Sequence, residues 1–438
     1  MIASRRPDRR VMPEFCRPLS GVTRPVIAID SHYRRTTSFA HRPEDPMTEH
    51  STAANDLLSD AWRILSGFHP ELSDFLRGSS VEELERPDGG ALRMFKECGA
   101  TGLIVAKSAG GIGASAEQMA HIYRAIGSRA PSLAVASSFH HMSLAALIEL
   151  TAAGPAAERE TVQFLLAAGA LVTSGFVEDI PGGGRTLPAT TRVRGEGNRL
   201  LVDGYIRPCS MARSMDLVLC PNEFHGAGLG IAVVAAGSPG LYPSRSWNSP
   251  LLRATETEEL VLTGAPAAAL LFGSEAAQPD IERIAQSWSS MLVVASYLGM
   301  ATALMQRVLD LGVRDPGSFA SAAAAVESSW SALLFACREF DAGARDTAAA
   351  VRIMYVRCAL RDNLSRIAAH LIESMGAGAF GDNFEMPYLA GCLHALALHL
   401  PSRGRIASHL YEFHRSGAFD PPIPPPSADR APGERVAH

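Results

Sequence analysis

The chain has 438 residues, of which 47% are hydrophobic and 19% charged, so it can bury a large core and is not globally disordered. Its formal net charge of -5 gives no broad basic surface for nucleic acid, and no run reaches the roughly 18 unbroken apolar residues that span a bilayer, so neither is an expected partner. Seven scattered cysteines argue against a disulfide framework and against a cysteine-based metal site, which leaves a reduced, cytoplasmic protein without a metal as the expectation.

The two ends of the chain are predicted to be unpacked tails. Residues 1–49 are rich in arginine and proline and show no hydrophobic period, while their acidic residues weaken an interpretation as a mitochondrial transit peptide. Residues 418–438 are rich in proline and typical of an extended polyproline segment. Because a helical period begins at Leu57, we expect a chain that starts at Met47 to fold like the full sequence.

Three differently patterned regions lie between the tails. Residues 50–168 carry apolar side chains at helical spacing, interrupted by a glycine-rich loop at residues 99–113. Residues 169–272 alternate short β-like runs with turn signals roughly every ten residues, which indicates an all-β module. Residues 273–417 return to long helical stretches rich in alanine and serine, which suit a helical bundle. The order is therefore helical, then β, then helical.

Several short motifs follow one another through these regions. After the glycine cluster at 99–113 come a Glu-x-x-Pro-Gly-Gly-Gly loop at 178–184, an Arg-Pro-Cys-Ser segment at 207–210 and a Gly-Ala-Gly-Ala-Phe turn at 376–380. In this order they resemble the acyl-CoA dehydrogenase family of flavoproteins, over about residues 57–415. The resemblance implies an α+β multidomain fold: an N-terminal helical domain, a middle β-barrel and a C-terminal four-helix bundle.

The resemblance also implies a flavin site, with FAD as the expected cofactor and FMN as the alternative. Backbone amides in glycine-rich turns can approach a cofactor closely because no Cβ intervenes. In the family, an Arg and a Phe of the bundle and a glycine-rich turn reach the FAD of a neighbouring subunit. The cofactor-binding residues predicted from these motifs are Glu178, Gly182, Gly183, Gly184, Ser210, Arg314, Phe319, Gly376, Gly378 and Phe380.

One functional group of the family is missing from this sequence. A dehydrogenase of this family uses a carboxylate to remove the α-proton of an acyl thioester while hydride passes to the flavin. The family places that glutamate either late in the bundle or early in its first helix. The corresponding positions here hold Ser402 and Ser289, so the sequence has no recognisable catalytic glutamate.

Two histidines follow late in the bundle. The run Leu-His-Ala at 393–395, with a further histidine at 399, resembles the flavin monooxygenase branch of the same fold, which takes reduced flavin from a reductase. A hydroxylase needs a dry pocket and a hydrogen-bond donor rather than an α-proton base. The predicted catalytic residues are therefore His394, His399 and Ser402, although a histidine satisfied on a helix flank fits the pattern equally well. The His140-His141 pair is more typical of a structural role.

Three functions remain open at this point. The first is an FAD-dependent oxidoreductase acting on an acyl thioester, carried by CoA or a carrier protein and served by an electron-acceptor protein. The second is a flavin-dependent monooxygenase acting on a small molecule with a flavin reductase as partner. The third is a non-catalytic homologue. In each case, long Ala-rich helices predict self-association into a closed dimer or tetramer.

Overall fold

A computed structural model describes residues 56–87, 89–152, 154–175, 190–197, 199–224, 228–272, 278–381, 383–399, 401 and 403–417. The predicted tails at 1–49 and 418–438 therefore lie outside the described residues. So do four predicted flavin-loop residues, Glu178, Gly182, Gly183 and Gly184, and the candidate catalytic position Ser402.

The first region is helical. Its helices are α1 (Ser59–Phe68), α2 (Pro70–Gly78), α3 (Val81–Leu84), α4 (Ala91–Glu97), α5 (Ala116–Arg129), α6 (Pro131–Ala152) and α7 (Ala156–Ala167). Helix α5 begins with a capping box, in which Ser115 Oγ accepts from Gln118 N and the Gln118 side chain accepts from Ser115 N. Helix α6 begins with Pro131, which needs no N–H partner at a first-turn position.

The middle region contains the strands. They are β1 (Val172–Ser174), β2 (Arg192–Glu196), β3 (Arg199–Cys209), β4 (Leu217–Phe224), β5 (Gly228–Ala235), β6 (Leu241–Ser244), β7 (Glu258–Pro266) and β8 (Ala269–Leu271). They form two four-stranded sheets, in the orders β1-β4-β5-β8 and β2-β3-β7-β6. Val202 on β3, Leu260 on β7 and Val218 on β4 belong to one buried apolar cluster, so the two sheets share a core. The described residues of this region, which was predicted as a β-barrel, thus form two sheets that pack on a common apolar layer.

The last region is helical again. Its helices are α8 (Gln278–Leu311), α9 (Pro316–Asp341), α10 (Thr347–Met375), α11 (Ala377–Gly381), α12 (Glu385–Leu393) and α13 (Arg403–Ser416), with a 3-10 turn at His394–Leu398. Asp315 and Asp346 cap α9 and α10 by accepting from backbone N–H groups of the first turn. The predicted mixed, helix-rich architecture is confirmed, while the limits of the three domains remain a prediction.

Helix α8 runs through the centre of the protein and packs against α5, α6, α9 and α10. Among the described residues, three helices are apolar and long enough to cross a membrane by length and composition: Pro131–Ala152, Ile281–Leu311 and Pro316–Asp341. In the first two, 83% of the most apolar window is buried inside the protein, against 33% in the third. Helices α6 and α8 are therefore core helices, whereas α9 presents much of its surface outward.

Candidate active site

The candidate site lies beside α6, where β1 and β3 end and the chain leaves the 3-10 turn. His140 fixes α6 to β1, because its Nδ1 accepts from Val172 N at 3.0 Å. Its Nε2 must then carry the proton, and it donates to Thr101 O at 3.0 Å. Burial lowers the pKa of His140 to about 4, so the ring stays neutral. One ring nitrogen holds β1 and the other holds the 3-10 turn Ala100–Gly102, which makes His140 structural.

Two serine hydroxyls meet at the end of β1. Ser174 Oγ lies 2.8 Å from Ser143 Oγ, and Ser143 Oγ donates to Phe139 O at 2.8 Å. Ser143 Oγ is the donor placed toward both Ser174 Oγ and Phe139 O, and Ser174 Oγ keeps a lone pair that can accept from another donor. Ser174 is partly exposed and lies shortly before the segment that carries the predicted flavin loop.

A second row of hydroxyls begins at Ser210, just after β3. Ser210 Oγ lies 3.1 Å from Thr257 Oγ1, which lies 2.8 Å from Thr255 Oγ1. Thr255 donates to Leu252 O at 2.7 Å, so Thr257 must donate to Thr255 and Ser210 must donate to Thr257. Thr173 Oγ1 donates to Ser210 O at 2.9 Å and ties the row to β1. The row therefore leaves Ser210 Oγ free to accept a hydrogen bond, rather than to donate one.

Phe139 lies next to the serine pair, since its carbonyl oxygen is 2.8 Å from Ser143 Oγ. Every residue of α6 from 131 to 147 is buried except Phe139, which is partly exposed and packs at the seam between two of the protein's apolar clusters. The imidazole of His399 lies on the same side, with its ring centroid 6.0 Å from that of Phe139. The ring of Phe139, on a part of α6 that is otherwise buried, thus lies beside both the serine pair and His399.

Two buried residues, Tyr297 and Arg357, hold His399 in place. Tyr297 OH lies 2.8 Å from His399 Nε2, and Arg357 donates through Nη2 to His399 O at 3.0 Å. Burial, followed by the nearby Arg357 charge, lowers the pKa of His399 to about 3. The imidazole is therefore neutral at physiological pH and works as a hydrogen-bonding group, not as a cation.

The other predicted catalytic histidine has a different position. His394 caps the end of α12, is exposed, and makes a 3.3 Å contact through Nδ1 with Ser365 Oγ on α10. The described contacts of His394 and His399 have no residue in common, so the structure does not join them in one constellation. A catalytic role for His394 remains a prediction without a described contact that supports it.

The bundle residues predicted to reach a cofactor gather at one corner. Arg314 N donates to Ser374 O at 2.8 Å, and a Cβ at Gly376 would come within 3.0 Å of the Arg314 guanidinium. Gly376 also has a φ of +85°, which favours glycine. Phe319 and Phe380 pack partly buried against the helical core, and Gly378 is exposed with open space around it. At this corner an exposed guanidinium lies beside a backbone conformation that favours glycine.

These groups suit a flavin. A flavin presents ring N–H and carbonyl groups to a site, and a phosphate at its other end. Ser174 and Ser210 offer hydroxyl acceptors beside the apolar Phe139, while Arg314 offers a forked donor for a phosphate. Among the described residues, none of the hydrogen-bond or ring partners of Ser174, Ser210 or His399 is a carboxylate.

Sequence reasoning missed most of this neighbourhood. Tyr297 and Arg357 lie inside regular helical patterns that mark them as ordinary core positions. Phe139 carries a weak signal, since it directly precedes the His140-His141 pair, and Ser174 precedes the flavin-loop motif.

No family model matches the chain. Isobutylamine N-hydroxylase of Streptomyces viridifaciens is 29% identical to it over 371 residues, which cover 80% of this chain and 96% of that enzyme. The similarity therefore extends over nearly the whole of that relative.

Solved structures give the same fold. FMN-bound TdsC from Paenibacillus sp. A11-2 superposes with a TM-score of 0.68 at 15% identity, covering 84% of this chain and 98% of that one. Nitrososynthase from Micromonospora carbonacea var. africana gives 0.67 at 20% identity, again covering 84% and 98%. Identities this low show the fold alone, and they confirm the acyl-CoA dehydrogenase-like fold predicted from the sequence. One relative is an N-hydroxylase and TdsC is FMN-bound, which confirms the predicted oxidising enzyme class and a flavin as the cofactor.

Proposed function

We propose that the chain is a flavin-dependent monooxygenase that hydroxylates the nitrogen of a small primary amine. The observation that carries the proposal is the similarity to an amine N-hydroxylase over 96% of that enzyme's length. The site supports it, because the described groups around Phe139 and His399 are hydroxyls, a neutral imidazole and an aromatic ring. None of them is the carboxylate that an acyl-thioester dehydrogenase needs.

The reaction balances as R–NH2 + O2 + 2 e⁻ + 2 H⁺ → R–NHOH + H2O. A bound flavin, reduced by a partner reductase, supplies the two electrons to oxygen. One oxygen atom forms the new N–O bond, and the other leaves as water. The role of the chain is to hold the flavin at Ser174 and Ser210, to exclude bulk water, and to orient the amine.

The electrostatics of the site favour an uncharged amine. Only the free base has a lone pair with which to attack oxygen, whereas an alkyl ammonium in water is largely protonated at neutral pH. A site with a nearby carboxylate would hold the ammonium form. Among the described residues, the charged group that acts on His399 is the Arg357 guanidinium, which repels a cation. The phenyl ring of Phe139 offers an apolar surface to a short alkyl chain.

The alternative hypothesis is oxidation of an acyl thioester, which remains a prediction from the sequence. It differs from amine hydroxylation in what reduces the flavin. An acyl-CoA would bleach the flavin directly without oxygen, whereas an amine hydroxylase needs NAD(P)H and a reductase. The third hypothesis, a non-catalytic homologue, predicts that no flavin-dependent turnover occurs at all.

The test uses the full chain with FMN or FAD, NADH, a flavin reductase, catalase and isobutylamine under ¹⁸O2. The expected product is a hydroxylamine that carries one ¹⁸O atom, formed only when the chain is present. In a parallel anaerobic titration, a series of acyl-CoAs should leave the flavin oxidised. Flavin bleaching by an acyl-CoA, with no hydroxylamine from a panel of short primary amines, would overturn the proposal and favour the thioester reading.

A further inference from the structure

Three residues from separate elements meet behind the candidate site. Tyr297 lies on α8, Arg357 on α10, and His399 follows the 3-10 turn after α12. Tyr297 and Arg357 are buried, whereas His399 is partly exposed and has its ring centroid 6.0 Å from that of Phe139. We call these three residues the His399 cluster.

The phenol of Tyr297 determines which nitrogen of His399 carries the proton. Burial raises the pKa of Tyr297 well above its ordinary value, so the phenol keeps its proton. Within the described part of the chain, its hydroxyl has one hydrogen-bond partner, His399 Nε2 at 2.8 Å. If Nε2 were protonated, the buried phenol proton would have no acceptor. The phenol therefore donates to Nε2, and the proton of the neutral ring lies on Nδ1.

Arg357 holds the other side of His399. It donates to His399 O at 3.0 Å and lies 3.4 Å from Ser290 Oγ, which fixes the chain where the 3-10 turn ends. Burial lowers the pKa of Arg357 to about 10, so it remains charged at neutral pH and opposes a second positive charge on the imidazole. The remaining titratable neighbours are Cys358 and Arg361, beside Arg357, and Cys392, near Tyr297.

From this arrangement we infer that Tyr297 and Arg357 are positioning residues, which keep His399 neutral and protonated at Nδ1, so that its N–H is available to a ligand beside Phe139. Within the described residues, Nδ1 makes no hydrogen bond, although the rest of His399 is fixed at Nε2 and at its carbonyl oxygen. The ligand atom that this N–H recognises is an acceptor, such as a neutral amine nitrogen or an oxygen.

The catalytic meaning of the inference rests on the proposed function, but the tautomer does not. The two parts can therefore be tested separately. The structural part predicts the protonation state of a single imidazole in the purified chain. The functional part predicts how turnover responds when the N–H is moved or lost.

The structural test is ¹⁵N solid-state NMR on protein labelled in histidine, with the His399 signals assigned by their loss in His399→Gln. The expected result is a neutral ring protonated at Nδ1 from about pH 5 to about pH 8. In Tyr297→Phe, we expect the tautomers to mix and the midpoint of protonation to rise. The matched control is Tyr355→Phe, because Tyr355 OH lies 2.6 Å from His414 Nε2 on the exposed surface and has no contact with the cluster. An Nε2-protonated His399 in the unmodified protein overturns the inference, whatever the activity.

The functional test compares two amides at position 399. An Asn side chain places its NH2 near the position of Nδ1, whereas a Gln side chain reaches the position of Nε2. We expect His399→Asn to retain more turnover than His399→Gln, and Tyr297→Phe to lower kcat by about tenfold with little change in KM for the amine. Equal activity of the Asn and Gln variants would refute the positioning role. Absence of hydroxylamine from the unmodified protein would instead refute the proposed function and leave the NMR result standing.

Discussion

Gly127 on α5 lies directly against Ser296 on α8, so closely that a Cβ at position 127 would overlap the Ser296 carbonyl oxygen. The contact is reciprocal, since a Cβ at Gly299 would overlap the carbonyl oxygen of Arg124. The two helices therefore cross backbone to backbone, and this crossing sets the position of Tyr297 next to the site.

We expect Gly127→Ala to destabilise the protein by about 1–3 kcal/mol, the usual cost of forcing an extra methyl group into a packed core. The measurement is the midpoint of urea unfolding followed by circular dichroism. The matched control is Gly67→Ala in α1, where a Cβ would meet nothing within 4 Å. There the same change should stabilise the helix by about 0.5–1 kcal/mol. Equal effects at both positions would contradict the close crossing.

The sequence predicts the parts of this site that local patterns encode. The long apolar periods of α8 and α10 and the turn signals between strands are visible in the chain, because each reflects a repeat of 3.6 or about ten residues. The contact between Tyr297 and His399 has no such signature, since 102 positions separate the two residues. The polarity of the Ser210 hydroxyl row depends on Thr255 and Thr257, which the chain places 45 or more positions later. Such relationships depend on how distant elements cross in the folded protein, so no local pattern in the sequence predicts them.

A buried carboxyl group gives the stability a distinctive pH dependence. Glu85 accepts from Ser132 N at 2.9 Å and also from Ser132 Oγ and Tyr388 OH, but burial still raises its pKa above the ordinary value. Because the folded pKa is raised, the stability from this group is full below the unfolded pKa of about 4.3 and is lost as pH rises through the folded pKa.

Glu85→Gln should therefore gain stability relative to the unmodified protein as pH rises above the unfolded pKa of about 4.3, by at most about 1.4 kcal/mol per pH unit, until the raised folded pKa is passed. Urea unfolding at a series of pH values measures the difference. Glu83→Gln is the control with the opposite sign, since hydrogen bonds from Ser80 lower the pKa of Glu83. Its stabilising contribution is present above the unfolded pKa and is lost as pH falls. A Glu85→Gln difference that does not change with pH would show that the folded carboxyl is already ionised over the whole pH series and that burial has not raised its pKa.

The hydroxyl row at Ser210 predicts a change in flavin potential. Ser210 Oγ is free to accept, and the family resemblance places this hydroxyl near the reactive nitrogen of the flavin, which carries a hydrogen only when reduced. Ser210→Ala should remove a hydrogen bond of about 0.5–1.5 kcal/mol from the reduced form. The two-electron potential should then fall by about 10–30 mV. Spectroelectrochemistry measures the shift, with Ser365→Ala, an exposed serine beside His394, as the control. A rise in potential would mean that Ser210 acts as a donor.

The corner at Arg314 distinguishes FAD from FMN. FAD has a second phosphate and an adenosine that FMN lacks, and the resemblance assigns these groups to the corner of a neighbouring subunit. Arg314→Gln should weaken FAD by about 1.5–3 kcal/mol, the value of a charge-assisted hydrogen bond, and leave FMN unchanged. Fluorescence titration with each flavin measures both affinities. Arg366→Gln, an exposed arginine on α10, provides the control. If both flavins bind Arg314→Gln as tightly as the unmodified protein, the corner does not bind the cofactor.

The outward face of α9 predicts how the chain associates. Only 33% of the most apolar window of this helix is buried, and Phe335 is 58% exposed. Burial of a phenylalanine contributes about 1.5–3 kcal/mol, and a two-fold interface counts each contact twice. We expect a dimer or tetramer by light scattering at micromolar concentration, and a shift toward monomer in Phe335→Asp. Phe164→Asp is the matched control, because Phe164 on α7 is similarly exposed at 53%. Dissociation by Phe164→Asp alone would place the interface on α7, and a monomeric unmodified protein would contradict the prediction altogether.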